Sequence, residues 1–143
     1  LIIAAVDLDG DGRPEVYNHY QLRQDAPRLL VKKEVDLNGD GLLDQTSHYE
    51  DGVVARREFD TDFDGRVDRI DHYLEGERTL SELAVGGGEF NQFKYYESGH
   101  VARKERDTDG DGKVDYWEYY ESGVVTKVGR DIDGDGQMDI REE

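Results

Sequence analysis

The chain has 143 residues, of which 35% are hydrophobic and 37% charged, with no cysteine and a formal charge of −17; its mean hydropathy is −0.89. So little apolar material in about one domain's length excludes a thick central core, and 35 acidic against 18 basic residues exclude a phosphate-binding surface, hence nucleic acid as a partner. The longest apolar run, Leu1 to Val6, is too short to span a bilayer, so no membrane insertion is expected, and a bound metal is the natural substitute for absent disulfides.

The strand-like run Leu1 to Val6 leads into an acidic loop with Asp7, Asp9, Asp11 and Glu15 at positions 1, 3, 5 and 9, and Gly12 at position 6. Oxygen ligands at this spacing suit a hard divalent cation, calcium above all. Gly12, in a left-handed conformation, is expected to bend the backbone so that the carbonyl of Arg13, at position 7, joins the side-chain oxygens. An aromatic segment containing His19 and Tyr20 follows, and an insertion of five residues near Gln24–Arg28, marked by Pro27, lengthens the next turn. The second loop offers Asp36, Asn38, Asp40 and Asp44 with the carbonyl of Leu42, and the third Asp60, Asp62, Asp64 and Asp68 with the carbonyl of Arg66.

A fourth, degenerate unit is placed at Leu83 by aligning Tyr95-Tyr96-Glu97-Ser98-Gly99 with Tyr119-Tyr120-Glu121-Ser122-Gly123. Its ligand positions, Leu83, Val85, Gly87 and Asn91, predict a loop that binds no calcium. The fifth loop offers Asp107, Asp109, Asp111 and Asp115 with the carbonyl of Lys113, and the last Asp131, Asp133, Asp135 and Asp139 with that of Gln137. Nineteen of the 35 acids stand at these ligand positions, so five dications, carrying ten positive charges, would bring −17 to −7.

Repetition at about 24 residues indicates stacked supersecondary units. Residues 1–143 therefore read as a single repeat array with units starting near 7, 36, 60, 83, 107 and 131. Between loops, an aromatic segment such as Val114 to Tyr120 and a β-branched run such as Val124 to Val128 flank a turn with Gly52, Gly76, Gly99 or Gly123 at a constant offset. Each unit is thus expected to be a β-hairpin. The fold class is all-β, a tandem array of hairpins linked by calcium-binding loops, drawn out as a meander or solenoid. The returning strands carry Arg56, Arg57, Arg78, Arg103, Lys104 and Lys127, read as a solvated face paired with acids across the strands.

Competing readings exist for three features. Glu118 and Glu142, at position 12 of their loops, complete the EF-hand pattern, but the other three loops have Asn18, Ser47 and Asp71 there and no helical segments flank any loop. The column His19, His48 and His72 suggests a transition-metal site or a pH switch, yet later units place Tyr95 and Tyr119 at the same offset, which an aromatic ladder explains more simply. The unbroken column Tyr20, Tyr49, Tyr73, Tyr96 and Tyr120 is read as a thin core, with Trp117 as the place to look for an exposed platform for sugars. No nucleophilic Cys or phosphate-binding loop is present, and no enzyme is expected.

The Asp-x-Asp-x-Asp-Gly-x-x-Asp loops resemble those of thrombospondin type 3 repeats and of bacterial secreted proteins with EF-hand-like loops, and the intervening Tyr-Tyr-Glu-x-Gly-x-Val pattern is similar to MORN-type hairpin repeats. Thrombospondin repeats carry disulfides, which this chain lacks. The resemblance implies an extracellular or cell-surface, calcium-stiffened spacer or adhesive segment. The five acidic loops predict about five calcium ions, a repeat array that starts at Leu1 without a Met and stops shortly after a loop reads as part of a longer chain, and a surface protein or polysaccharide is the expected partner.

Overall fold

A computed structural model describes residues 1–142, with side chains described up to residue 139. It is all-β. The chain divides into two compact units, Leu1–Gly76 and a second that begins at Glu77. The first contains β1 (Ile2–Val6), β2 (Val16–Gln21), β3 (Leu29–Val35), β4 (Gln45–Glu50), β5 (Val53–Phe59) and β6 (Arg69–Leu74). The second contains β7 (Glu77–Leu83), β8 (Gln92–Glu97), β9 (His100–Arg106), β10 (Tyr116–Glu121), β11 (Val124–Arg130) and β12 (Ile140–Glu142).

Within each unit every strand pairs antiparallel with its chain neighbours, and among the described residues no strand touches a non-neighbour. Each unit is therefore a single layer. The acidic loops join β1 to β2, β3 to β4 and β5 to β6 in the first unit, and β9 to β10 and β11 to β12 in the second, so within a unit they share one end of the strands. The tight turns lie at the other.

Those turns explain the offset glycines. Asp51 and Gly52 have φ of 49° and 80°, and Ser98 with Gly99 and Ser122 with Gly123 repeat the pattern. Two successive positive φ values match the right-handed twist of the flanking strands, which favours a two-residue hairpin. The expected insertion is present: residues 22–28 join β2 to β3 where two residues suffice elsewhere. Just before each hairpin turn the pairing slips by one residue, between His19 and Tyr20, His48 and Tyr49, Tyr95 and Tyr96, and Tyr119 and Tyr120. These bulges leave Val31, Ala55, Ala102 and Thr126 unopposed on the returning strands.

No hydrophobic side chain among the described residues is fully buried; the most enclosed are Ser47, Ser81 and Asp71. With no second layer, contact area comes only from neighbours along and across the strands. The Tyr column is half-buried, and cations cover its rings: Arg28 over Tyr20 at 4.0 Å, Arg78 over Tyr96 at 4.2 Å, Lys104 over Tyr120 at 5.1 Å and Arg57 over Tyr73 at 5.5 Å. Guanidinium and ammonium groups thus take the place of an apolar layer, each through the ring quadrupole and its own aliphatic stem.

Some of the basic residues on the returning strands pair along their own strand, and others across strands. Arg56 with Glu58 at 2.6 Å, Arg103 with Glu105 at 2.9 Å and Lys32 with Glu34 at 3.5 Å are neighbours two residues apart on one strand, because alternate residues share a face. Arg106 with Glu118, at 3.7 Å, does cross between strands. In the last hairpin Gly129 replaces the glutamate of the other returning strands, and Met138 fills the notch: a Cβ there would lie 2.4 Å from its Sδ.

Candidate metal centres in the acidic loops

Each loop is built on two backbone bonds. The N–H of the position-9 residue donates to the carbonyl just before the loop, Asp44 to Val35 and Asp68 to Phe59 at 2.8 and 2.9 Å for example. The N–H of the next loop's first residue donates to the position-9 carbonyl: Asp36 to Glu15, Asp60 to Asp44, Asp107 to Asn91 and Asp131 to Asp115, at 2.8 to 3.0 Å. Adjacent loops within a unit are therefore joined through the ligand-bearing residues themselves.

Side chains fold the loop inward. The position-1 carboxylate accepts two N–H groups, in the fifth loop from Gly110 and Gly112 at 2.7 and 2.8 Å. The position-9 carboxylate accepts the N–H of position 2, as Thr108 to Asp115 at 2.9 Å and Leu37 to Asp44 at 2.7 Å. The N–H groups of Arg13, Leu42, Arg66, Lys113 and Gln137 donate to the position-5 carboxylates of Asp11, Asp40, Asp64, Asp111 and Asp135, which sets the backbone at position 7.

Carboxylate oxygens consequently converge within 4.8 Å of one another in five groups: Asp7, Asp9, Asp11 and Glu15; Asp36, Asp40 and Asp44; Asp60, Asp62 and Asp68; Asp107, Asp109 and Asp115; Asp131, Asp133, Asp135 and Asp139. Two oxygens that each sit 2.3–2.6 Å from one calcium ion are at most about 5 Å apart, so the spacing fits such an ion, and the all-oxygen donor set suits a hard cation. Asp64 and Asp111 stand outside their groups. Asn38 accepts the N–H of Asp40 and donates to its carboxylate, both at 3.1 Å.

Charge crowding is visible in the protonation equilibria. Burial raises Asp36, Asp60, Asp107 and Asp131, but the backbone N–H groups they accept outweigh it, so all four lie below the ordinary aspartate range; at Asp7 the N–H of Gly12 is the leading cause of the same shift. The position-3 acids move up: Asp62 by burial and its neighbour Asp60, and Asp109 and Asp133 despite the N–H groups of Asp111 and Asp135, because burial and neighbouring carboxylates prevail. Position 1 is thus favoured as an anion, whereas ionisation of Asp62, Asp109 and Asp133 is made less favourable by the carboxylates around them.

One atom stands apart. Asp44 is only 3% exposed, its Oδ2 accepts the N–H of Leu37, and its Oδ1 is buried with no hydrogen-bond partner. In the third and fifth loops the corresponding oxygen receives the hydroxyl of Thr61 or Thr108, at 2.6 Å; Leu37 has none to offer.

The degenerate loop shows the same frame without carboxylates. Leu83 is the last residue of β7, and the N–H of Asn91 donates to its carbonyl at 2.9 Å, the bond made by position 9 elsewhere. The loop therefore begins at Ala84, not Leu83, and is one residue shorter than the others. Asn91 still occupies position 9: its Oδ1 accepts the N–H of Val85 and its Nδ2 donates to the carbonyl of Val85, at 2.9 and 2.8 Å.

Other sequence candidates have different occupations. Glu118 accepts the hydroxyl of Tyr120 and pairs with Arg106, placing its carboxylate on the sheet, away from the loop ligands; the side chain of Glu142 lies outside the described residues. His19 meets Glu34 at 2.5 Å and His48 meets Glu58 at 3.5 Å, and Tyr95 continues the series by donating to Glu105 at 3.4 Å. None of the ligand groups among the described residues contains a histidine. A feature missed from the sequence is position 4, left-handed in all five acidic loops, where Gly10, Gly39, Gly110 and Gly134 alternate with Phe63 at φ 61°.

No protein-family model matches the chain, and a search of curated proteins found no match to it.

Proposed function

We propose that this chain is a calcium-binding structural or adhesive segment of a secreted or cell-surface protein, made rigid by about five calcium ions held in successive loops. The observation that carries the reading is the recurrence of one carboxylate cluster, five times, at equivalent hairpin ends. Calcium would be held by the carboxylates at positions 1, 3, 5 and 9, by the Asn38 amide oxygen, and by the carbonyls of Arg13, Leu42, Arg66, Lys113 and Gln137. Its charge offsets the mutual repulsion of the clustered carboxylates, and because position 9 of one loop bonds to position 1 of the next, each bound ion fixes the angle between neighbouring hairpins. A stiffened ribbon of this kind displays or spaces a partner, with a surface protein or polysaccharide as the expected class.

Two readings receive less support. The aromatic platform for sugars is disfavoured because Trp117 is half-buried and cations lie over Tyr116, Tyr119 and Tyr120. An EF-hand sensor would need helices beside its loops, and the loops here are flanked by strands. Calorimetric titration of the chelated chain with calcium tests the proposal: four or five ions at sub-millimolar or weaker affinity support it, and fewer than four, or a melting temperature unmoved by EDTA, overturns it.

A further inference from the structure

The position-9 residue takes two forms in one backbone frame. In loop 84–91 Asn91 closes the loop by itself, accepting from and donating to the two backbone groups of Val85. In loop 36–44 Asp44 can only accept: Oδ2 takes the N–H of Leu37, and Oδ1 is left buried and unpartnered in a residue 3% exposed. A carboxylate oxygen enclosed without a donor is strongly unfavourable unless a cation meets it. The third and fifth loops have relieved this with a threonine hydroxyl, and in the first and last loops Glu15 and Asp139 are more exposed than Asp44.

From this contrast we infer that Asp44 Oδ1 is a direct ligand of the cation and that loop 36–44 is the site that fills first. The inference rests on the calcium reading above and adds to it an order of filling and the residue that sets it. Two further features favour the same loop. Its first and last ligands, Asp36 and Asp44, are the most enclosed pair among the five loops. It is also the middle loop of the first unit, bonded through Asp36 to Glu15 on one side and through Asp44 to Asp60 on the other, so its filling orders ligand residues of both neighbours. Position 9 then decides how these two loops are held: the enclosed acid of Asp44 requires the ion, and the amide of Asn91 supplies the missing donor itself.

The test is Asp44→Asn in the full chain, a change for which Asn91 is the internal precedent. In EDTA the variant is expected to melt at or above the wild-type temperature, because the amide replaces an unpartnered anion and can donate to the carbonyl of Leu37. In calcium it is expected to melt below wild type, and in calorimetric titration with calcium the tightest step should weaken by about tenfold or more. Asp115→Asn, whose oxygen already has the Thr108 hydroxyl, should leave that tightest step in place. A wild-type chain that takes up no calcium removes the function proposal and this inference together. Normal calcium uptake with an unchanged first step in Asp44→Asn overturns the inference alone, and so does a loss of stability in EDTA equal to that in calcium.

Discussion

Loops 84–91 and 107–115 lie on either side of one hairpin, β8–β9, and share the same closing bond to the preceding strand and the same use of position 9. One is glycine-rich and held by an amide; the other gathers carboxylates within 4.8 Å. Hairpin closure therefore needs no metal. The acids add mutual repulsion that the glycine-rich loop does without, and they bring oxygen atoms close enough together to hold a metal ion.

The largest way to sharpen the contrast is to remove the cation. If each acidic loop held calcium with a dissociation constant of about 0.1 mM in about 2 mM calcium, each would contribute about 1.8 kcal/mol, and five would approach the whole stability of a small domain. Thermal melting with and without EDTA measures it. Hydrogen exchange should then show the acidic loops opening on chelation while the amides of residues 84–91 keep their protection.

A smaller effect comes from the turn glycines. Gly112 has φ of 88° and a Cβ there would meet nothing within 4 Å, so Gly112→Ala should cost about 1–2 kcal/mol from backbone conformation alone. Denaturant unfolding in calcium should give that loss, and Gly86→Ala, at φ 93°, should give a similar one that EDTA does not alter. Phe63 is the one left-handed position-4 residue that is not glycine, and Phe63→Gly should raise stability by up to about 1 kcal/mol by the same measurement. Asn91→Ala, which removes two hydrogen bonds beside the exposed Val85, should cost roughly 0.5–1 kcal/mol, equally with and without calcium.

The smallest effect is the response to acid. Asp62, Asp109 and Asp133 have raised pKa values, so their ionisation opposes folding, and that penalty disappears as pH falls through their folded values toward about 4. Asp7, Asp36, Asp60, Asp107 and Asp131 are lowered; their contribution is complete above about pH 4 and is lost as pH falls below it. Melting temperature in EDTA should thus rise slightly on mild acidification and then fall. A monotonic fall from neutral pH would contradict the position-3 shifts.

The clustering of the acids was legible before any coordinates because the carboxylates of each loop are close together in the chain. Asp107 to Asp115 lie within nine residues, so spacing alone brings them together, and repetition identifies the pattern. The position-4 signal was present in four glycines but interrupted by Phe63, and no side-chain chemistry predicts a phenylalanine at positive φ. The degenerate loop begins one residue later than the repeat spacing predicts, because it is one residue shorter and its three glycines, Gly86 to Gly88, offer no side chain to align; the bond from Asn91 to Leu83 locates its start.

The sequence by itself determined the hairpins, their period, the inserted turn and the acidic loops, since each follows from residues close together in the chain. Tertiary structure decided what depends on pairing between strands: the bulges, the in-strand ion pairs, the cations laid over tyrosine rings in place of a core, and the isolation of Asp44 Oδ1. That last property is invisible in composition or spacing. All five acidic loops have an acid at position 9, and only the enclosure around Asp44, with no side-chain hydroxyl on Leu37 to reach it, leaves Oδ1 buried and unpartnered.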